Sequence, residues 1–153
     1  MLLFKELENG TVRAIYQNEM GITFFDFEWN VADSFQLNKI IPQLNKPAVV
    51  KVLRKDMELL LMKGLDKQKE IVLTDRGKEL FYCLTVKDGG KAYYVTKNDT
   101  LNRIENAGKK ARILTMNIKG KETKTAMPQH IFIAHHKANF TIQLDKIEQD
   151  VNE

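Results

Sequence analysis

Residues 71–81 read IVLTDRGKELF, and this stretch decides the fold expected for the chain. Its first four residues are mostly β-branched, and such side chains favour a pleated strand. The run ends at Thr74 and Asp75, two residue types that cap helices, with a glutamate four positions after Asp75. The stretch therefore predicts a short strand over 71–74 that leads into a helix over 75–84.

A longer helix is predicted upstream, over residues 47–63. Pro47 suits the first position of a helix, where its missing N–H costs nothing. Gly64 follows this segment and suits the left-handed conformation that often ends a helix. A shorter helix is predicted over 35–41, with Ser34 as its N-cap. This order of short helix, turn, long helix, polar loop, strand and capped helix is typical of a winged helix-turn-helix.

Residues 34–84 resemble the winged helix-turn-helix of MarR-like and PadR-like bacterial regulators, over about a third of the chain. In these families the recognition helix ends in Leu-x-x-x-Gly-Leu, which the chain carries at 60–65. The wing leads into Leu-Thr-x-x-Gly-x-x-Leu, which the chain carries at 73–80. The resemblance implies a double-stranded DNA-binding protein that binds as a homodimer, so that two helices meet successive major grooves.

Strands are predicted before this module. Residues 1–30 predict a β-meander, because three runs of strand-forming residues are separated by turn signals. In the third run Phe25, Phe27 and Trp29 alternate with polar residues and form one face. This aromatic face is expected to pack on the helices that follow.

Further strands are predicted after the module. Residues 85–153 predict a β-rich extension that begins with a hairpin at Gly89-Gly90. It includes a short helix over 101–106 and strands near 111–118, 131–134 and 140–144. The expected fold class is α+β, a winged helix-turn-helix core flanked by antiparallel β-hairpins in a single compact domain of 153 residues.

The DNA contacts are expected on the long helix, since the N-terminal residues of a helix in the major groove reach base edges. Arg54 can read a guanine through a bidentate bond, and Asn45 can read an adenine. Lysines on the wing and on a second hairpin tip are expected to contact phosphate. The predicted DNA-binding residues are Asn45, Lys46, Lys51, Arg54, Lys55, Lys67, Lys69, Lys119 and Lys121.

Charge and composition agree with a phosphate-binding protein. The net charge is +4, and basic residues concentrate between Lys109 and Lys124, where Glu122 is the one acid. A solvated face is the alternative interpretation of that run. Cys83 is the single cysteine, so no internal disulfide can form. No secretory signal or long apolar run is visible, and a cytoplasmic protein with no membrane partner is expected.

The sequence offers no catalytic motif. His130, His135 and His136 do not have the spacing of a helical zinc site, and neighbouring histidines on a strand point to opposite faces. We therefore expect no enzyme, metal or cofactor. The expected role is a transcriptional regulator or a DNA-organising accessory factor of a phage or conjugative plasmid. The alternative hypothesis is a protein–protein interaction module, such as an inhibitor or assembly factor, in which the long helix is only scaffold.

Overall fold

The computed structural model describes residues 1–74, 77–123 and 127–147, and of Lys69 it describes only the backbone. The chain divides into two compact units, Met1–Gly64 and Leu65–Glu153. Each unit contains one antiparallel sheet, and the described residues form a single α-helix. Within those residues, no helix combines the length and the apolar character needed to cross a membrane.

The first unit is a four-stranded meander followed by the helix. Neighbouring strands in the chain are neighbours in the sheet, so each connection is a hairpin. The elements are β1 (Leu2–Glu6), β2 (Val12–Gln17), β3 (Thr23–Trp29), β4 (Phe35–Ile40) and α1 (Pro47–Leu60). The predicted three-stranded meander is therefore confirmed. The predicted long helix is confirmed as well, but it ends at Leu60 and not at residue 63.

The core of this unit lies between the sheet and α1. Phe25, Phe27 and Trp29 alternate along β3 with the polar residues of the opposite face, and they are buried together with Met57 of α1. Phe25 and Phe27 stack with ring centroids 4.4 Å apart. The prediction that the aromatic face packs on helical residues is correct, although one helix supplies the contact.

A polar cluster is built into this core. The indole N–H of Trp29 donates to Oε1 of Glu58 at 3.1 Å, and the Nε–H of Arg54 donates to the same oxygen at 2.7 Å. The Arg54 guanidinium also lies 4.3 Å from the centre of the Phe35 ring. Because Trp29 is fully buried and the Glu58 side chain is 7% exposed, this carboxylate connects the sheet to α1 in a site of low water access.

The second unit is a seven-stranded meander in the order β11-β10-β9-β8-β7-β6-β5, antiparallel throughout. The two edges of this sheet are β5 and β11. The strands are β5 (Leu65–Thr74), β6 (Glu79–Val86), β7 (Lys91–Lys97), β8 (Thr100–Ala107), β9 (Arg112–Lys119), β10 (His130–His135) and β11 (Phe140–Asp145). The predicted strand over 71–74, the Gly89-Gly90 hairpin and the strands near 111–118, 131–134 and 140–144 are confirmed.

One face of this sheet carries a continuous row of apolar side chains. Residues paired directly across neighbouring strands share a face, and one such row crosses five strands. Its central members are buried, with Tyr94 4% exposed and Met116 fully buried. The row consists of Tyr82, Tyr94, Ile104, Met116 and Ile133.

Burial of Tyr94 has a consequence at high pH. Desolvation raises the pKa of its phenol well above the ordinary value. In the unfolded chain a tyrosine ionises near pH 10, whereas Tyr94 of the native protein stays neutral. The contribution of the buried neutral phenol to the free energy of unfolding is therefore fully present below about pH 10 and is lost as the pH rises further. We expect the free energy of unfolding, measured by urea titration, to fall between about pH 10 and 11. In Tyr94→Phe this fall should be smaller, and an identical pH profile in the two proteins would contradict the assignment.

The prediction of a winged helix-turn-helix is wrong. That module needs several packed helices, whereas the described residues form two antiparallel sheets and one helix. The expected α+β class with a helical core is therefore replaced by a mostly β fold. The resemblance to MarR-like and PadR-like regulators extends to short patterns of residues and not to their three-dimensional arrangement.

Three short helices were predicted where the chain forms strands. Residues 35–41 contain β4, because Phe35 pairs with Trp29 across the sheet and its ring packs on Phe27 with centroids 5.3 Å apart. Residues 75–84 overlap β6, which pairs with β7 from Glu79 to Thr85. Positions 75 and 76 of that prediction lie outside the described residues.

The third wrong helix, over 101–106, shows the physical reason most directly. The two residues that could have capped it, Asn98 or Asp99, both have positive φ, 51° and 62°. Two successive residues of this type with positive φ form the tight turn of a β-hairpin, here between β7 and β8. Asparagine and aspartate serve both as helix caps and as turn residues, so the cap signal alone did not distinguish the two structures.

Candidate nucleic-acid interface

Three hairpin turns lie at one end of the seven-stranded sheet. In a meander every second turn falls at the same end, so the β6–β7, β8–β9 and β10–β11 turns are brought together with the start of β5. The register confirms this placement, because Leu65 pairs with Val86, and Lys91 with Ala107. Strands in a sheet are about 4.8 Å apart, so the three turns extend over about 19 Å.

The residues at this end are predominantly basic. Each turn carries at least one lysine, and all the basic side chains are exposed. Among the described residues three acidic side chains accompany them: Asp66, Asp88 and Glu105, whose carboxylate lies 3.0 Å from Arg112. We call this surface the basic end. It consists of Lys67, Lys87, Lys91, Lys109, Lys110, Arg112 and Lys137.

Backbone bonds fix the turns that present these lysines. In the β6–β7 turn the N–H of Gly89 donates to the carbonyl of Val86 at 2.9 Å. In the β8–β9 turn the N–H of Gly108 donates to the carbonyl of Ala111 at 2.9 Å. In the β10–β11 turn the N–H of Asn139 donates to the carbonyl of His135 at 3.1 Å. The charges at the basic end are therefore carried by short, hydrogen-bonded turns.

Gly90 allows the β6–β7 turn to pack closely against the end of β8, next to the β8–β9 turn. Its φ is +91°, and a Cβ there would lie 2.5 Å from the carbonyl oxygen of Ala107. We expect Gly90→Ala to lower the free energy of unfolding by about 2–4 kcal/mol, through backbone strain and displacement of the neighbouring strand. Gly89→Ala is the matched control, because its φ is also positive but no atom lies within 4 Å of the added carbon. Equal losses in urea titrations of both variants would contradict the close approach.

A groove lies at the β5 side of the basic end. Its volume is about 490 Å³, and it lies where β5 begins and β6 ends. Lys67 and Lys87 line it opposite a single carboxylate, Asp66, and the Lys91 ammonium donates to Oγ1 of Thr85 at 3.3 Å. The residues around the groove are Leu65, Asp66, Lys67, Gln68, Thr85, Val86 and Lys87.

The opposite end of the sheet has mixed charge. Its basic residues stand beside nearly as many carboxylates, and one of these is bonded to a histidine: Asp145 Oδ1 lies 2.7 Å from Nδ1 of His130. Bonds from His130 and Gln143 hold the pKa of Asp145 below its usual range. Within the part of the chain that the structure describes, the charged residues assigned to this end are Lys78, Lys97, Lys119, Lys121 and Lys146 with Glu79, Asp99, Glu122 and Asp145.

The predicted contacts on α1 lie in the first unit. Asn45 and Lys46 precede the helix and are exposed, Lys51 is exposed on it, and Lys55 is half-buried. Arg54, the predicted guanine reader, donates instead to Glu58 and packs on a phenyl ring. The guanidinium is therefore used within the unit, which leaves the neighbouring lysines as the charged groups that this helix presents.

The remaining predicted contacts do not form one patch. Lys67 lies at the groove, while the backbone of Lys69 belongs to β5 and its side chain lies outside the described residues. Lys119 and Lys121 lie at the mixed end. Because β9 separates the two ends, the basic run that begins at Lys109 is split by a strand about 24 Å long.

Sequence reasoning missed most of the basic end. Lys109, Lys110 and Arg112 were noted within the basic run but were not assigned to DNA, and Lys87, Lys91 and Lys137 were not singled out. Their common signal is a lysine or arginine in every second turn of a meander. That signal can be read only once the intervening segments are known to be strands and their order is known.

Other kinds of site find little support. Among residues 1–74, 77–123 and 127–147 no group of three or more His, Cys, Asp or Glu side chains is placed to hold a metal ion. No protein-family model, curated protein or solved structure matches this chain. The functional assignment therefore depends on the geometry and charge of the chain itself.

Proposed function

We propose that the chain binds double-stranded DNA through the phosphate backbone, with the basic end as its contact surface. The observation that supports this most is the exposure of lysines on three turns and at the start of β5, all at one end of one sheet. A lysine ammonium attracts phosphate as a point charge and does not require a particular base. Binding should therefore tolerate many sequences and weaken steeply with salt.

The size of the surface suits this role. About 19 Å of turns corresponds to about five or six phosphates along one strand of a duplex, at about 3.4 Å of helix axis per phosphate. Lys109 and Lys110 are neighbours in sequence and are both exposed on one turn, so they place two positive charges close together. Asp66, Asp88 and Glu105 reduce the local charge but are outnumbered by the seven basic residues of this end.

Base-specific reading is not part of the proposal. A bidentate contact with guanine needs a guanidinium whose donors are available. Arg54 donates to Glu58, Arg103 donates to Glu105 at 2.7 Å, and Arg112 lies 3.0 Å from the same carboxylate. Lys46, which precedes α1, and Lys51 on α1 stay predictions as additional phosphate contacts.

A DNA-organising accessory factor in the cytoplasm, as on a phage or conjugative plasmid, is the biological role that fits such binding. The test is fluorescence anisotropy of a labelled duplex titrated with the protein at several salt concentrations. An affinity that falls with salt and depends on Lys109 and Lys110 supports the proposal. If the affinity for the duplex is the same with and without these two lysines, the proposal that the basic end contacts DNA is wrong.

A protein–protein interaction module is the second candidate function. One observation favours it: three consecutive apolar residues of the edge strand β5 are about half exposed, Ile71 at 53%, Val72 at 52% and Leu73 at 50%. A sheet edge with apolar side chains and unpaired backbone groups can accept a further strand from another protein.

A further inference from the structure

We propose that β5 accepts an extended segment of a partner protein, which pairs antiparallel with residues 71–74 and carries acidic residues at its C-terminal end. This inference rests on the second candidate function and does not depend on DNA binding. It defines the partner by its chemistry: alternating apolar residues followed by carboxylates.

The edge is open where the apolar residues lie. Among the described residues β5 pairs with β6 alone, so alternate N–H and C=O groups of residues 71–74 face away from the sheet. Val72 pairs with Tyr82 and shares its face, while Ile71 and Leu73 project to the other face. An added strand would thus find apolar contacts on both faces, which is the arrangement that strand addition uses.

The same strand changes character toward its start. Asp66 pairs with Thr85 and Ile71 pairs with Cys83, so residues 67–70 stand opposite Leu84 alone and form a wide bulge. A bulge ends regular pairing at an edge. The open stretch is therefore limited to about four residues and stops beside the groove lined by Lys67 and Lys87.

Charge at the groove gives the partner its direction. The sheet is antiparallel throughout, so we take the added strand to be antiparallel to β5. A segment that pairs in this way runs from Thr74 toward Leu65, and its C-terminal end reaches the groove. Lys67 and Lys87 outnumber Asp66 there, so carboxylates on that end are favoured.

The test uses three labelled synthetic peptides and the full chain. TVIVTEDE has both features, TVIVTQNQ lacks the charges, and TSGSTEDE lacks the apolar residues. Fluorescence anisotropy should show the tightest binding for TVIVTEDE. If TSGSTEDE binds equally well, the attraction is only electrostatic and the proposed strand addition is wrong.

Variants of the protein locate the site. Ile71→Thr with Leu73→Thr keeps β-forming residues at exposed positions, and it should weaken TVIVTEDE about tenfold. Lys67→Ala should weaken TVIVTEDE but leave TVIVTQNQ unchanged, whereas the exposed Lys97→Ala at the other end should change neither. Circular dichroism establishes that each variant is folded.

Two further measurements separate this proposal from its rivals. The proposed DNA binding depends on Lys109 and Lys110, whereas the proposed peptide binding does not. The variant Lys109→Ala with Lys110→Ala should therefore retain its affinity for the peptide, and either proposal can fail without the other. Sedimentation of the protein alone should show no association through this edge. A dimer that dissociates on Ile71→Thr with Leu73→Thr would show that a second copy occupies the edge, and that result would overturn the proposal.

Discussion

Replacing Glu58 with alanine should destabilise the first unit by about 2–4 kcal/mol. The substitution removes the acceptor for the indole N–H of Trp29, which is fully buried and cannot turn to water. It also removes the partner of Arg54, whose side chain is 42% exposed and can still be hydrated. The lower part of the range for breaking a buried pair therefore applies. Trp29 is the only tryptophan of the chain, so its fluorescence during urea unfolding reports on this site.

Two companion variants show whether the hydrogen bonds are responsible. Glu58→Gln keeps an oxygen that can accept from Trp29, and it should lose less stability than Glu58→Ala. Glu8→Ala removes an exposed carboxylate from a turn of the same unit and should change the free energy of unfolding by less than about 0.5 kcal/mol. If Glu58→Ala unfolds at the same urea concentration as the unmodified protein, the bonds that join α1 to the sheet contribute nothing measurable.

Replacing Lys109 and Lys110 together with alanine should weaken duplex binding about tenfold at low salt. Each lysine that neutralises a phosphate releases about 0.9 of a counterion, so the slope of log affinity against log salt should become shallower by about two. Both side chains are exposed on the β8–β9 turn, and their removal leaves the turn's backbone bond in place. Stability should therefore stay within about 0.5 kcal/mol of the unmodified protein.

The matched control is Lys97→Ala with Lys119→Ala. It removes the same charge from exposed positions at the mixed end of the same sheet. Lys119 was itself a predicted DNA contact, so this variant also compares the sequence-based assignment with the one based on the basic end. A smaller loss of affinity than in the Lys109 and Lys110 variant is expected.

Local patterns predicted the elements whose signals are unambiguous. Pro47 begins the helix as predicted, because it lacks an N–H that the first turn does not need. The helix ends at Leu60, before Gly64, and Met62, with a φ of 54°, takes the left-handed position that was predicted for the glycine. Alternation of Phe25, Phe27 and Trp29 indicated a half-buried strand because its period matches the pleat. Each of these features depends on residues that are close together in the sequence, so it can be predicted without knowledge of the tertiary structure.

The helices predicted over 35–41, 75–84 and 101–106 failed for a common reason. Each was placed by residues that can cap a helix, and hairpin turns use the same residue types. Long-range pairing with neighbouring strands decides between the two structures, as Phe35 shows by pairing with Trp29. With these segments predicted as helices, the residue patterns at 60–65 and 73–80 matched those of a winged helix-turn-helix.

The candidate site could be predicted only in part. Lys67 was identified because it lies in a polar loop beside a strand, and it does line the groove. The basic end as a whole depends on strand order, since Lys87, Lys110 and Lys137 are far apart in the chain and meet only through the meander. Arg54 was misjudged because the burial of its partner, Glu58, depends on how α1 packs on the sheet.

The most direct measurement is fluorescence anisotropy of a labelled random-sequence duplex across several salt concentrations, with the unmodified protein and the two double-lysine variants. We expect log affinity to fall linearly with log salt, and the slope to become shallower by about two for Lys109→Ala with Lys110→Ala. The Lys97 and Lys119 variant should stay closer to the unmodified protein. Absence of binding at low salt, or equal loss in both variants, would contradict DNA binding at the basic end.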